Sequence, residues 1–596
     1  MRHLGYGWLL GLVVALAGCS AGSGGSHGPS PGTSSSGNGG ASSSSGEGAG
    51  GGLELDAGMG DAAPDKLGCS PDLQHVIDAH GTIVKTCAPE QGCSAGTCVP
   101  PCQAAADSKG NVGCDFTVAT PHFYVGIKPP CFAAFLANAW PKDAKITVSR
   151  GGQTYDTSQF GRIADANPNT AGWAPVPPTG VPKDKVAVLF LSQDPASFNA
   201  TPLTCPVPPA INQGNGSAVV QTGRGQAWRI QTDVPVSTYD ILPYGGAKSY
   251  LPSAELVIPT SAWGTNYFAV LPRDSAGPPW GQLVATEATT VKIFPNVGLP
   301  GGAGVDAAPA QQQATFLLGA GEYIQWQLAP GQDMSGTVIQ SDKPVAFTGG
   351  NGYICYQSQT SSGGGCDSAH QQIPPISAFG SEYVAPPYAT RGNGAESIPY
   401  RLVGAVKDTT LAYDPPVPGA PAAIGAGQVV EFETTLAFAV SSQDADHPFY
   451  VGQIMTGCMV PGNPNSNGDE EYVNVLPPAQ WLARYVFFTD PTYPTTNLVF
   501  TRMATATGFK EVKLDCLGQL GGWIPVGAGG KYEVMNVDLI RFGQPNGACA
   551  NGPHQAESEG PFGLMVWGLD WFSSYGYPAG GSVAPINTVV VPPVPK

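Results

Sequence analysis

Ile339-Gln340-Ser341-Asp342-Lys343-Pro344-Val345 is the stretch that decides the fold. An apolar strand end meets Asp, whose carboxylate caps turn donors, and then Pro, which needs no hydrogen-bond partner. The pattern returns as Ile230-Gln231-Thr232-Asp233-Val234-Pro235-Val236, and more weakly as Asp446-His447-Pro448-Phe449. The three aspartates are 109 and then 104 residues apart. A period of that size marks a repeat-built chain.

Two further elements recur in fixed order. Ile258-Pro259-Thr260-Ser261-Ala262-Trp263 with Tyr267 is echoed by Pro375 to Phe379 with Tyr383, and by Pro477 to Trp481 with Tyr485. Paired-strand segments begin at Leu283, Arg401 and Phe500, with an earlier copy at Phe135. Each unit holds about eight short β-rich runs bounded by Gly, Pro, Asp and Asn, which means a sandwich or a propeller. No long polar spacer separates the units, so the expected architecture is all-β, a repeat-built propeller-like array. Tandem β-sandwiches are the alternative. The aromatic-dense segment 561–581 is expected to close the array.

Composition agrees with this reading. Of 596 residues, 81 are Gly and 58 are Pro, while only 12% are charged. Gly and Pro are poor helix residues and exposed helices need charged faces, so a helical protein is excluded. With 42% hydrophobic residues the chain has material for a large core. The net charge of −17 removes any counterion-release drive onto nucleic acid.

The first residues carry Arg2, an apolar run from Trp8 to Leu16, and Leu16-Ala17-Gly18-Cys19. The run is too short to span a bilayer and reads as a signal peptide over 1–18. Leu16-Ala17-Gly18-Cys19 resembles the bacterial lipobox, which implies lipid attachment at Cys19 and no other membrane contact. Ser20 resembles an outer-membrane sorting signal, so the expected location is the cell envelope, lipid-anchored and surface-exposed. Residues 19–66 form a Gly/Ser-rich tether.

Cys69, Cys87, Cys93, Cys98, Cys102 and Cys114 crowd into 67–114. So short an exported stretch cannot bury enough core alone, so it reads as a disulfide-stapled, EGF-sized hairpin module. Zinc at Cys93, Cys98 and Cys102 yields to disulfides in an oxidising compartment. The six cysteines allow 15 pairings, and spacing does not choose among them. Beyond the module, Cys131, Cys205, Cys458, Cys516 and Cys549 are odd in number once Cys355 and Cys366 pair around a polar Gln/Ser/Gly loop. Closing that loop contributes about 3 kcal/mol on a chain-entropy model, and the loop is a candidate contact surface.

The segments SGTVIQSDKPVAFTGGNGYICYQSQTSSGGGCDSAHQQIPPISAFGSEYV (335–384) and PFGLMVWGLDWFSSYGYPAGGSVAPIN (561–587) resemble the IgGFc-binding protein N-terminal domain family. The resemblance covers 115–596. It implies a surface binding domain without catalytic residues, and implies antibody binding only through the family's name. The preceding Cys-rich module resembles those of bacterial surface lipoproteins.

Catalytic signatures are missing from the main region: no His-Glu-x-x-His and no Gly-x-Ser-x-Gly occurs. Asn463, Asn465, Asn467 and Asp469 alternate like half of a calcium loop, although Asn474 stands where the closing Glu is expected. No cofactor is expected apart from calcium at this turn. Trp263 and Trp481 are the candidate ligand-stacking residues. The expected function is non-catalytic binding or adhesion to glycoprotein, polysaccharide or cell surfaces. A self-assembling envelope component is the alternative, and an extracellular hydrolase the lesser one.

Overall fold

The structure, a computed structural model, describes residues 67–594 apart from 125, 198–202, 250 and 273–275. Cys19, the signal-like segment and the tether lie outside the described residues.

The Asp-x-Pro element is where one long strand changes sheets. Trp228–Leu242 pairs through its first half with Gly113–Val118 and Ile146–Arg150. Its second half pairs with Phe132–Asn138 and Ser253–Val257. The register breaks between Gln231 and Val236, around Asp233 and Pro235. Val338–Ile354 does the same: Gly264–Phe268 and Thr289–Phe294 flank one half, Pro279–Ala285 and Asp367–Ile373 the other. A bulge that bends a strand lets it serve both layers of a sandwich.

Polar side chains fix the bend. Asp233 Oδ1 accepts the Lys145 amide at 2.7 Å and Asp342 Oδ1 the Thr290 amide at 2.8 Å. Just before them, Thr232 Oγ1 donates to the Val234 carbonyl and Ser341 Oγ to the Lys343 carbonyl, at 2.7 and 2.6 Å. In the third repeat the strand is cut into Phe438–Ser442 and Phe449–Met455. There Gln443 takes the aspartate's place, its Oε1 accepting the Thr410 amide at 2.8 Å. Asp446 therefore belongs to the insertion and is not the repeat's equivalent aspartate. A fourth copy, Ser558-Glu559-Gly560-Pro561, bends Gly552–Asp570 between Leu482–Thr489 and Thr495–Met503.

Four sandwiches result among the described residues, at about 113–257, 264–373, 382–474 and 482–578. The propeller expectation is thereby corrected. A blade is a single twisted sheet, whereas each unit here is two facing sheets, joined by the bent strand in repeats one, two and four and by the cut strand's linker in repeat three. The units nevertheless pack around a common centre, because their last strands abut: Ser253–Val257, Asp367–Ile373, Glu471–Asn474 and Ser573–Pro578. One hydrophobic core joins the first and fourth units through Phe135, Tyr239, Phe488 and Tyr577. Others join the second to the third, and the third to the fourth. Closure comes from side-chain packing, without a shared sheet.

The second repeated element is a single 3-10 turn after Pro: Thr260–Ala262, Ile376–Ala378 and Pro478–Gln480. It carries the junctions. A Cβ on Gly113 would lie 2.4 Å from Cβ of Pro259, one on Gly264 2.5 Å from Pro375, and one on Gly380 2.5 Å from Pro477. The absent side chain lets each unit seat on the proline of the next. The C-terminal segment then runs along the module and the junctions: Val583 donates to Lys109, Ser582 to Gln480, Ile586 to Ser377, and Val591 to Asn266 of repeat two.

In the Cys-rich module the pairs are Cys69–Cys93, Cys87–Cys98 and Cys102–Cys114. The last joins the helix Pro101–Ser108 to the first strand of repeat one. Cys131 pairs with Cys205, Cys355 with Cys366 and Cys516 with Cys549, leaving Cys458 as a free, buried thiol.

Candidate functional site

Polar or ligand-sized features come together at the stapled loop, at the centre of the four units, and in a groove beside the Cys-rich module.

The loop closed by Cys355 and Cys366 lies down on repeat three. Ser361 Oγ donates to the Gly457 carbonyl at 2.7 Å, and the Gly363 carbonyl accepts the Met459 amide at 2.8 Å. Gly363, Gly364 and Gly365 all have positive φ, which lets the chain fold flat there. Only Gln357, Gln359 and Ser362 in the loop are exposed. Its main work is to bridge repeats two and three, with a narrow polar ridge facing out.

Beneath it, Asp469 Oδ2 accepts the Cys366 amide at 2.8 Å and is buried. Asn463, Asn465 and Asn467 do not converge on it. The Asn463 amide spans its own turn, donating to Cys458 and Asn467 and accepting from Asn467. Asn465 is exposed in a left-handed conformation. The calcium expectation therefore gains only Asp469 from the folded geometry.

The centre is acidic and buried. Glu471 is well held: Ser253, Tyr472 and Gly576 all donate to it, so one carboxylate ties repeats one, three and four. Asp367 Oδ1 is buried with no hydrogen-bond partner, and the carboxyls of Asp469 and Glu470 face each other. Burial pushes all these carboxyls up in pKa, and Asp469 adds repulsion on Asp367 and Glu470. Nearby, His370 Nε2 lies 2.9 Å from Asp240 Oδ1, with Glu255 opposite Asp240 on the neighbouring strand. This is no catalytic triad. Ser253 Oγ meets the His370 backbone amide instead of its imidazole, and all three side chains are buried from substrate. A second cluster, Asp515, Cys516 and His554, offers no thiolate because Cys516 is in a disulfide.

Trp263 and Trp481 are 7% and 9% exposed, with Nε1 donating to Ile258 and Leu476 carbonyls. The structure places both in the junction cores, where they offer almost no face for stacking. Sequence spacing alone did not separate a junction aromatic from a ligand platform.

The groove is a cavity of about 290 Å³ between the module, repeat one and repeat four. Asp72, Gln74, Asn111, Trp140, Arg484 and Ser582 contribute to its walls. Trp140 Nε1 donates to the Pro89 carbonyl at 2.8 Å, holding the module over the groove. Arg484 is fixed by the Ala139 carbonyl and Gln555, each at 3.1 Å. The volume is near the lower end for small-ligand sites. Its separated walls made it invisible in sequence.

Residues 253–568 match the protein family described as IgGFc binding protein, from the inner strand of repeat one through repeat four. The chain belongs to this family. It is similar to the human IgGFc-binding protein, 26% identical over 331 residues. That alignment covers 53% of this chain and 5% of the human protein, so the chain spans a small fraction of its relative's length. No solved structure matches it. Membership in the IgGFc binding family is consistent with a non-catalytic, binding-type protein. Among the described residues no helix is long and apolar enough to cross a membrane.

Proposed function

We propose that the chain is an exported binding protein that holds a glycoprotein, polysaccharide or cell-surface ligand without transforming it. The match to the IgGFc binding family over 253–568 carries this reading. The groove beside Trp140 and Arg484 is the contact surface that the geometry favours, because rigid elements from three parts of the chain form its walls. The lipobox-like Leu16-Ala17-Gly18-Cys19 supports attachment to the cell envelope through lipid at Cys19, with the tether lifting the ectodomain from the bilayer. Calcium at the 463–469 turn belongs to the same proposal.

The test is saturable retention of the labelled chain on immobilised mucins, immunoglobulins, polysaccharides and whole cells, with calcium and with chelator. Retention on one class supports the reading, and loss with chelator adds calcium to it. Retention on none counts against it.

A second reading, self-assembly into a structural envelope component, is favoured by one specific observation. Among the described residues strand Ile83–Thr86 pairs only with His75–Ile77, and it is exposed along its length, with Ile83 55% and Val84 57% accessible. An open apolar edge is a template for pairing with another copy. Concentration-dependent oligomers that vanish in Val84→Lys would favour this reading.

A further inference from the structure

Repeats one and two meet at a trio of side chains that packing does not explain. Asp240 and Glu255 are direct cross-strand partners, and His370 reaches them from the inner strand of repeat two. One ligand atom from each lies within 4.8 Å of the other two. Relative exposures are 0% for Asp240, 4% for Glu255 and 2% for His370.

Two carboxylates placed opposite each other in a dry sheet repel. Among the described residues neither pairs with Lys or Arg; the only ion-pair partner is His370. Asp240 Oδ2 and Glu255 Oε2 are buried, no N–H or O–H of another residue reaches them, and the two carboxyls face each other. Buried polar atoms are almost always satisfied, and orphaned ones call for a missing ion or water. Apart from a proton shared between the two carboxyls, hydrogen-bond donors that would complete a purely structural role are lacking at these two oxygens.

We propose that Asp240, Glu255 and His370 form a binding site for a zinc-type divalent cation that clamps repeat one to repeat two. One imidazole nitrogen with two carboxylate oxygens is a donor set that zinc accepts, whereas calcium takes oxygen alone. The ion replaces the hydrogen between His370 and Asp240 and gives the orphaned oxygens a partner. Because the site is buried, its role is structural: it joins strands that are far apart in sequence, as a metal clip does.

The test measures metal in the purified full chain after incubation with zinc and exhaustive dialysis. About one retained zinc per chain is expected, with a rise in melting temperature that EDTA reverses. Cobalt in place of zinc should give visible d–d absorption, read on the wild type without any variant. Glu255→Gln and His370→Gln should each lower zinc affinity by about 10-fold or more, the size seen when a metal site loses a supporting group. A wild-type chain that retains no zinc and shows no cobalt absorption overturns the proposal, leaving the trio to share protons. Zinc retained equally by wild type and both variants also overturns it, placing the ion elsewhere, such as at exposed Asp444 and half-buried His447.

Discussion

The hydroxyl of Tyr383 donates to the carbonyl of Phe449 at 2.6 Å, and Phe449 is the residue directly after Pro448. The same hydroxyl accepts the Gly380 amide at 2.8 Å. Tyr267 binds Val345, after Pro344, and the Gly264 amide in the same way. Tyr485 binds Phe562, after Pro561, and the Leu482 amide. One phenol thus ties the start of a unit to the bend in its long strand. Phe116 occupies this place in repeat one and has no hydroxyl.

Tyr383→Phe should therefore destabilise the chain while leaving its core volume almost unchanged. It strands a buried carbonyl and a buried amide, a cost of about 1–3 kcal/mol. Denaturant unfolding monitored by Trp fluorescence reads this directly. An unchanged midpoint would show that the hook contributes nothing.

Gly380→Ala should also destabilise, by about 1–3 kcal/mol through overpacking, because the new methyl meets Pro477. Gly214→Ala is the contrast. Nothing lies within 4 Å of its added Cβ, so it should be neutral or slightly stabilising. Thermal melts of the two variants should move apart.

Arg391 is buried with its guanidinium on Glu396 at 2.7 Å and on the Thr456 carbonyl at 2.8 Å. Arg391→Ala leaves Glu396 charged and unpaired in the core. A loss of about 3–5 kcal/mol is expected. The double variant Arg391→Met with Glu396→Gln should recover part of it.

Cys458 sits under the stapled loop, its thiol 3.0 Å from the Gly364 carbonyl, and burial pushes its pKa up to about 11. Little thiolate forms at neutral pH, and the thiolate is the nucleophile. In the native chain Cys458 should react slowly with a disulfide reagent, and its thiol should become titratable only on unfolding.

Asp490 is buried, and desolvation raises its pKa from 3.8 to about 6. The folded state thus holds this proton more tightly than the unfolded chain does. Its stabilising effect is complete below pH 3.8 and is lost as pH rises through about 6. Asp490→Asn keeps an oxygen for the Thr492 amide, so it should be more stable than wild type at pH 7.5, by about 2–3 kcal/mol. The difference should shrink towards pH 4. His122 titrates in the same window with the opposite sign: its pKa falls to about 4, so it costs stability as pH drops. Comparing the Asp490 variant with wild type at each pH removes the His122 contribution.

Much of the fold is legible in the residues because the repeated elements do local work. Pro259, Pro375 and Pro477 start 3-10 turns, and Asp233 and Asp342 cap strand bends, each within a few residues of its partner in sequence or register. What the residues conceal is long-range. Gln443 does the work of Asp342 because only an acceptor oxygen is required at that point, and an insertion then shifts Pro448 away from it. Ser558-Glu559-Gly560-Pro561 hides for the same reason, having lost its aspartate. Sandwich and propeller share strand length and turn chemistry, so spacing alone could not separate them. The groove draws on the module, repeat one and repeat four, and His370 lies over a hundred residues from Asp240 and Glu255, with no motif in any one strand.

The most direct test of the binding role fills the groove. Gln74 lines it from the Cys-rich module, and Gln74→Trp should occupy it without disturbing the module's disulfides. Surface plasmon resonance of wild type and Gln74→Trp over the glycoprotein and polysaccharide panel, with melting temperatures measured in parallel, decides the matter. The account predicts saturable wild-type binding to one class, weakened at least about tenfold in a variant that melts normally, the equivalent of about 1.4 kcal/mol. Absence of saturable wild-type binding, or equal binding by a folded Gln74→Trp, would contradict it.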